Sequence, residues 1–369
     1  MKARVKTQEF ASVLHKACSV ISKKQVMPIL SHILIKTKDN ALRVTATDLE
    51  HTYIGSCPAQ IEIEGEVVVP AIQLFYIVRN LDVEEIPLCK NENNQLDIKT
   101  PKSHFSLLTM DPQEFPTLEV PENLPALTLP LDKLKETINN IIPCTAPDLH
   151  DYIAQSIACE KRDEELRFVA TDRRKLAYSS IQTSVPDDFP KMSLISGNVI
   201  NKILSLIQTE TVSMGFNQNI GVVQTDSEIF FFRLTEGSFP AYEEVIPTKT
   251  GFQIQIDREE LKDAINRVKI VKPEVIKFTF EREKLTLFCK GPEIGEAREE
   301  VPINKGPQTP QSLNLIAETL PRLISPLHCN TITLSFTSPE DPCTITTPDN
   351  PDYISVFMPA ISVEVEKQV

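Results

Sequence analysis

Two aspartates are the first residues whose type and setting could carry chemistry. Asp48 lies in VTATDLEHTYIGS, residues 44–56, and Asp172 in FVATDRRKLAYSS, residues 168–180. A pair of carboxylates can divide general acid and base work when their surroundings push their pKa values apart. Both aspartates, however, follow Ala-Thr at the end of an apolar run and precede a short polar turn and a second strand-like run. That setting suits a side chain that caps a turn by accepting backbone N–H groups. Its recurrence favours the structural role over the catalytic one. The six histidines, His15, His32, His51, His104, His150 and His328, are dispersed without metal-ligand spacing. The sequence holds no Gly-rich phosphate loop, no HExxH and no GxSxG. The eight cysteines form no CxxC and read as reduced, mostly buried side chains. An enzyme is poorly supported, and no cofactor or metal is expected.

The two Ala-Thr-Asp segments lie 124 positions apart, and so do Phe115-Pro116 and Phe239-Pro240. Three units of that size account for the 369 residues, and a repeat has to be recognised before any fold can be assigned. The Pro-rich, acidic stretches 111–130 and 239–251 read as linkers between units. The expected domains are 1–120, 128–245 and 251–369. Apolar spacing predicts helices over 8–21, 71–81, 132–142, 198–207, 258–268 and 313–324. Thr7 is expected as the N-cap of the first helix, and Pro70 opens the second, where its missing N–H is harmless. Strands are expected between the helices, among them 29–37, 52–60, 62–69, 166–171, 176–183 and 353–358. Short connections make them antiparallel. The fold class is therefore α+β: three repeats, each with two helices packed on antiparallel sheets.

With 41% apolar and 24% charged residues, the composition is that of a globular protein. No apolar run reaches the ~18 residues of a membrane span, and the first ten residues lack a secretory core. A cytoplasmic location and no membrane partner are expected. The net charge of −13 argues against nucleic-acid binding by surface electrostatics alone. It leaves open a protein held on DNA by topology.

Several segments, taken together and in order, resemble the bacterial DNA sliding clamp family, the DNA polymerase III beta subunits. They are Met27-Pro28-Ile29-Leu30, Thr47-Asp48-Leu49-Glu50, VATD at 169–172 with Leu176-Ala177, EGSFPAYEEVIP at 236–247 and VFMPA at 356–360. The resemblance implies a non-catalytic processivity factor, a head-to-tail homodimer whose six domains close a ring around duplex DNA. Helices pack about 9–10 Å apart, so twelve in a circle leave a bore of roughly 25 Å after subtracting a helix diameter of about 10 Å. The six helices of one chain would leave roughly 8 Å, less than the major groove's width of about 12 Å. Topological retention needs only sequence-independent phosphate contacts, which accommodates the acidity.

The resemblance also implies sites. DNA contacts would come from Lys24, Arg79, His150 and Tyr152. A pocket for short apolar peptides would involve Ile153, Thr171, Arg173, Arg174, Lys175, Leu176, Pro240, Val245, Pro342, Val356, Phe357, Met358 and Pro359. Its implied partners are the DNA polymerase III alpha subunit, the clamp-loader delta subunit, and other polymerases and repair proteins. The dimer interface would join Phe105 and Leu107 to Ile270 and Val271 of a second copy. The chain departs from the family at Arg173-Arg174, where Gly or Ser then His or Tyr is usual. It departs again at Glu244, where many members carry Arg, and in the tail SVEVEKQV. The alternative function is a three-repeat interaction scaffold that never meets DNA.

Overall fold

The computed structural model describes residues 1–21, 27–116, 124–146, 150–248, 251–304 and 306–360. It divides into two compact bodies that do not coincide with thirds of the sequence. One comprises Met1–Leu131 with Lys202–Leu234, the other Asp132–Asn201 with Thr235–Val369.

The first body is built on a twelve-stranded antiparallel sheet. Its opening strand, Lys2–Lys6, alternates exposed lysine or arginine with buried Ala3 and Val5, as expected for a strand with one wet face. It lies between Glu85–Lys90 and the long strand His51–Ile63. That long strand takes in the one expected over 52–60 and the start of the one expected over 62–69, the rest of which is the separate strand Glu66–Pro70. It also pairs with Glu228–Arg233, Gly55 opposite Glu228 and Thr52 opposite Phe231. A strand of the second repeat thus continues the sheet of the first. The helix Thr7–Val20 buries Phe10, Val13, Leu14 and Ala17, and packs on the helix Ala71–Arg79 and on the sheet.

A buried polar group fastens this junction. Lys16 Nζ reaches both carboxylate oxygens of Glu228 at 2.6 and 2.8 Å, and Tyr53 donates to Glu228 Oε1 at 2.9 Å. Gly55 makes this possible: a Cβ there would lie 2.1 Å from the Tyr53 hydroxyl, so only glycine lets the ring lie along the strand. Burial, reinforced by the Glu228 charge, raises the Tyr53 pKa far above its ordinary value and keeps the phenol a donor.

The second body holds an eight-stranded and a four-stranded antiparallel sheet. In the larger, Lys175–Gln182 pairs with Asn350–Phe357, joining the second repeat to the third. In the smaller, Val275–Phe280 lies between Lys284–Gly291 and Gln311–Ile316. The helix Arg258–Val268 is capped by Asp257, whose carboxylate accepts from Glu260 N at 2.9 Å.

Three expectations need correction. The helix expected over 313–324 is a strand, Gln311–Ile316, followed by a short helix, Thr319–Ile324. Leu313 and Leu315 alternate into the core opposite Phe278 and Ile276. Thr7 is not an N-cap but the first helical residue; its hydroxyl donates to Val83 O at 2.6 Å. The strand expected from residue 29 begins at His32, because Pro28–Ser31 forms a 3₁₀ turn closed by Ser31 Oγ donating to Pro28 O at 2.6 Å. The segment 22–26 and the tail from residue 361 lie outside the described residues.

Candidate functional site

Asp48 and Asp172 hold the same turn in the two repeats. Asp172 Oδ1 accepts from Arg174 N and Lys175 N at 2.9 and 2.8 Å, while Thr171 Oγ1 accepts from Arg173 N at 3.0 Å. Asp48 Oδ1 accepts from Glu50 N and His51 N at 3.0 and 2.7 Å, and Thr47 Oγ1 from Leu49 N at 3.0 Å. Arg173 and Leu49 take the same left-handed backbone, φ 74° and 77°. Each carboxylate gives one oxygen to backbone amides and turns the other to the side chain that ends the turn, His51 or Lys175, so both aspartates position a loop. Among the described residues no three His, Cys, Asp or Glu side chains gather as a metal site. The cysteines are all free; burial pushes the thiols of Cys18 up to about 11 and of Cys57 and Cys343 to about 12, which holds them protonated.

The Asp172 turn opens onto a cleft of about 820 Å³. Leu176 and Val356, direct partners across the strand pairing, form its apolar floor and are also core residues, each 4% exposed. They pack in a cluster with Ala158, Val169, Leu194 and Tyr242. Met358 and Val245 stand on the walls about half exposed. Met358 is held at its edge by its N–H, which donates to Arg174 O at 3.1 Å. A floor of buried aliphatic side chains between half-exposed apolar walls and charged rims can take up the apolar side chains of an extended segment.

Of the residues expected to form the pocket, Thr171, Arg173, Arg174, Lys175, Leu176, Pro240, Val245, Pro342, Val356, Phe357 and Met358 line this cleft together. Ile153 does not line it but packs against the cluster beneath. There its Cδ1 would lie 2.6 Å from a Cβ added at Gly237, whose φ of 134° would strain any other residue. Pro359 follows Met358 and is not among the lining residues.

Of the second wall only Pro240, Val245 and Pro342 were anticipated. The segment read as a linker supplies Ala241–Thr248 to the cleft, and the loop before Cys343 supplies Thr337 and Asp341. Tyr242 pins that wall. Its hydroxyl donates to Glu160 Oε2 at 2.5 Å and accepts from Arg162 and Arg167 at 3.1 and 3.3 Å. Arg162 also binds Glu243 at 2.6 Å, and the Arg167 guanidinium lies 4.4 Å from the centre of the Tyr178 ring. Burial, followed by the hydrogen bond to Glu160, raises the Tyr242 pKa above its ordinary value. The recurring Phe-Pro and the family-like segment EGSFPAYEEVIP were the sequence signals for this wall. The partners of Tyr242 lie about 80 positions upstream and could not be paired with it from spacing.

The remaining expected residues sit elsewhere. Arg79 ends the helix Ala71–Arg79, exposed and 6.0 Å from the Phe75 ring. His150 and Tyr152 are exposed on either side of Asp151, which pairs with Arg173 at 2.5 Å. Lys24 lies outside the described residues. Phe105 and Leu107 are on His104–Leu108, an edge strand of the first body's sheet, with Phe105 exposed and Leu107 half-buried. Ile270 and Val271 lie in the 3₁₀ turn Lys269–Val271, Ile270 exposed at 71%.

Three family models match in chain order: DNA polymerase III beta subunit, N-terminal domain, over residues 1–119; central domain, over 128–241; C-terminal domain, over 243–361. A beta sliding clamp of Treponema pallidum is 28% identical over 381 aligned positions, covering 97% of this chain and 99% of its own. One of Chlamydia muridarum is 25% identical over 308, covering 82% and 84%. The crystal structure of a DNA polymerase sliding clamp from Bacillus subtilis matches the fold with a TM-score of 0.93 at 21% identity, covering 98% of this chain and 99% of that one. With all three domains matched in order along nearly its whole length, the chain belongs to the DNA polymerase III beta subunit family.

Proposed function

We propose that the chain works as a sliding clamp, a non-catalytic processivity factor that encircles duplex DNA and tethers a replicative polymerase. The observation that carries this reading is the ordered match of three clamp domains along one continuous chain. The working boundaries are 1–120, 128–245 and 251–369. Two copies pair head to tail, the apolar edge strand with Phe105 and Leu107 meeting Ile270 and Val271 of the other copy. Exposed apolar side chains on an unpaired strand edge support this, because such an edge templates pairing with another chain. Duplex DNA passes through the ring, with Lys24, Arg79, His150 and Tyr152 among its contacts. A few such contacts suffice, since closure of the ring supplies retention.

The cleft between Leu176, Val356, Met358 and Val245 takes the short apolar peptides by which the polymerase alpha subunit, the clamp-loader delta subunit and other polymerases and repair factors bind. These partners place the protein with the chromosome in the cytoplasm. Primer extension on a primed single-stranded circle, with clamp loader and polymerase, tests the function. The chain should lengthen products made in a single binding event. Product lengths unchanged by its addition would favour an interaction scaffold that does not meet DNA.

A further inference from the structure

The cleft is lined by six ionic side chains, and the protein neutralises only half of them. Arg173 is paired with Asp151, Lys175 with Asp172, and Glu243 with Arg162 and Arg167. Among the described residues, Arg174, Glu244 and Asp341 make no ion pair, although all three line the cleft. Their places follow from strand register. Phe357 is the lateral partner of Lys175 on one side and of Cys343 on the other. The chain therefore leaves the sheet at the same end before Lys175, after Phe357 and before Cys343. Arg174, Met358 and Pro342 are the next residues outward, with Asp341 just beyond. Adjacent strands lie about 4.8 Å apart, so the cationic and anionic sides stand roughly 10 Å apart with Met358 between them. An extended peptide rising about 3.3 Å per residue covers that gap in about three residues.

We propose that the cleft selects its peptides by charge order. An apolar anchor sits over Met358; an acidic residue on one side meets Arg174, and a lysine or arginine about three positions away meets Asp341, with Glu244 on the facing wall adding to the same preference. The inference rests on the peptide-binding reading above and names the peptide class. Positive and negative sites at opposite ends also fix the direction in which a peptide lies. An acidic residue at the Asp341 end or a basic one at the Arg174 end is repelled, and such repulsion is an ordinary source of discrimination between partners.

The test uses the full-length protein and fluorescein-labelled peptides sharing Leu-Phe anchors and differing only in the flanking pair. The flanks are Asp and Lys, Lys and Asp, Gln and Gln, Asp and Asp, or Lys and Lys, measured by anisotropy at low and high salt. One of the two mixed-charge orders should bind about tenfold more tightly than the Gln peptide, roughly threefold per matched exposed charge. The advantage should shrink as salt rises. In Arg174→Glu with Asp341→Arg, the opposite order should become the preferred one. Equal binding of all five peptides overturns the inference while leaving the peptide-binding reading standing, and so does a preference that survives the double reversal. Binding of none overturns both.

Discussion

Leu176 and Val356 face each other across an antiparallel pair of strands that arise in different repeats. Neither repeat contains the cleft alone. Its floor forms only where the strand after the Asp172 turn accepts the last described strand of the chain, and its outer wall only where Tyr242 anchors the intervening segment. Ligand binding here is therefore tied to the integrity of the joint between the second and third repeats.

The half-exposed apolar walls can be altered without breaching that joint. Val245→Asp or Met358→Asp places a carboxylate where a ligand's apolar side chain would rest, while the buried floor stays intact. Each should weaken binding of a Leu-Phe peptide at least tenfold, which corresponds to about 1.4 kcal/mol, with an unchanged unfolding midpoint. A truncation meant to remove the binding edge should begin at Met358. Val356 and Phe357 are buried partners of Leu176 and Lys175, and their loss would open the core.

Tyr242→Phe removes the hydroxyl shared by Glu160, Arg162 and Arg167, leaving partly buried charged groups less satisfied at a cost of about 1–3 kcal/mol. Amide exchange over residues 240–246 should accelerate, and peptide affinity should fall although no wall residue has changed its apolar surface. The pH dependence has a defined sign. Because the folded pKa of Tyr242 is raised above its ordinary 10.0, its contribution is complete below about pH 10 and is lost as pH rises beyond it. The stability difference between wild type and Tyr242→Phe, from denaturant titrations at pH 8 and pH 11, should narrow at the higher pH. A constant difference would show that the hydroxyl's environment does not favour its protonated state.

Parts of this site are legible in the sequence for a local reason. Thr-Asp followed by a left-handed residue makes a self-contained turn, so residues 47–51 and 171–175 announce themselves wherever they occur. The Tyr242 wall is not legible in that way, since its stability comes from Glu160, Arg162 and Arg167, remote in sequence and brought near only by the fold. Residues 313–324 show a different failure. LNLIAETLPRLI satisfies helical spacing with Leu313, Ile316, Leu320 and Leu323, yet satisfies alternation equally with Leu313, Leu315 and Ala317. Pairing with Val275–Phe280 decides for the strand, leaving Ile316 41% exposed. Nor does the repeat itself reveal that the compact bodies would cut across it, because strand pairing between repeats depends on edges that spacing does not identify.

The junction of the first and second repeats depends on a charge. Lys16→Met leaves the Glu228 carboxylate buried with Tyr53 as its remaining donor. Breaking a fully buried pair costs about 3–5 kcal/mol; with the Lys16 side chain 15% exposed, about 2–4 kcal/mol is expected here, read as a lowered urea midpoint. Lys16→Met combined with Glu228→Leu should recover most of the loss, because an apolar pair needs no compensating charge. A double variant as unstable as the single would mean that the apolar replacements do not fit the site.

Association of two copies can be read from molecular mass. Phe105→Arg puts a guanidinium on the exposed edge strand His104–Leu108 and should convert a dimer to a folded monomer in analytical ultracentrifugation. Ile270→Arg should do the same from the opposite surface. An undiminished dimer in both variants would place the interface elsewhere.

A sliding clamp holds DNA by enclosing it. The direct measurement loads labelled protein onto a nicked circular duplex, isolates the complex by gel filtration, and follows release before and after a single restriction cut. Enclosure predicts retention on the circle at salt concentrations that abolish ordinary phosphate binding, and rapid loss from the linear form as the ring slides off its ends. Equal rates of release from circular and linear DNA would contradict it.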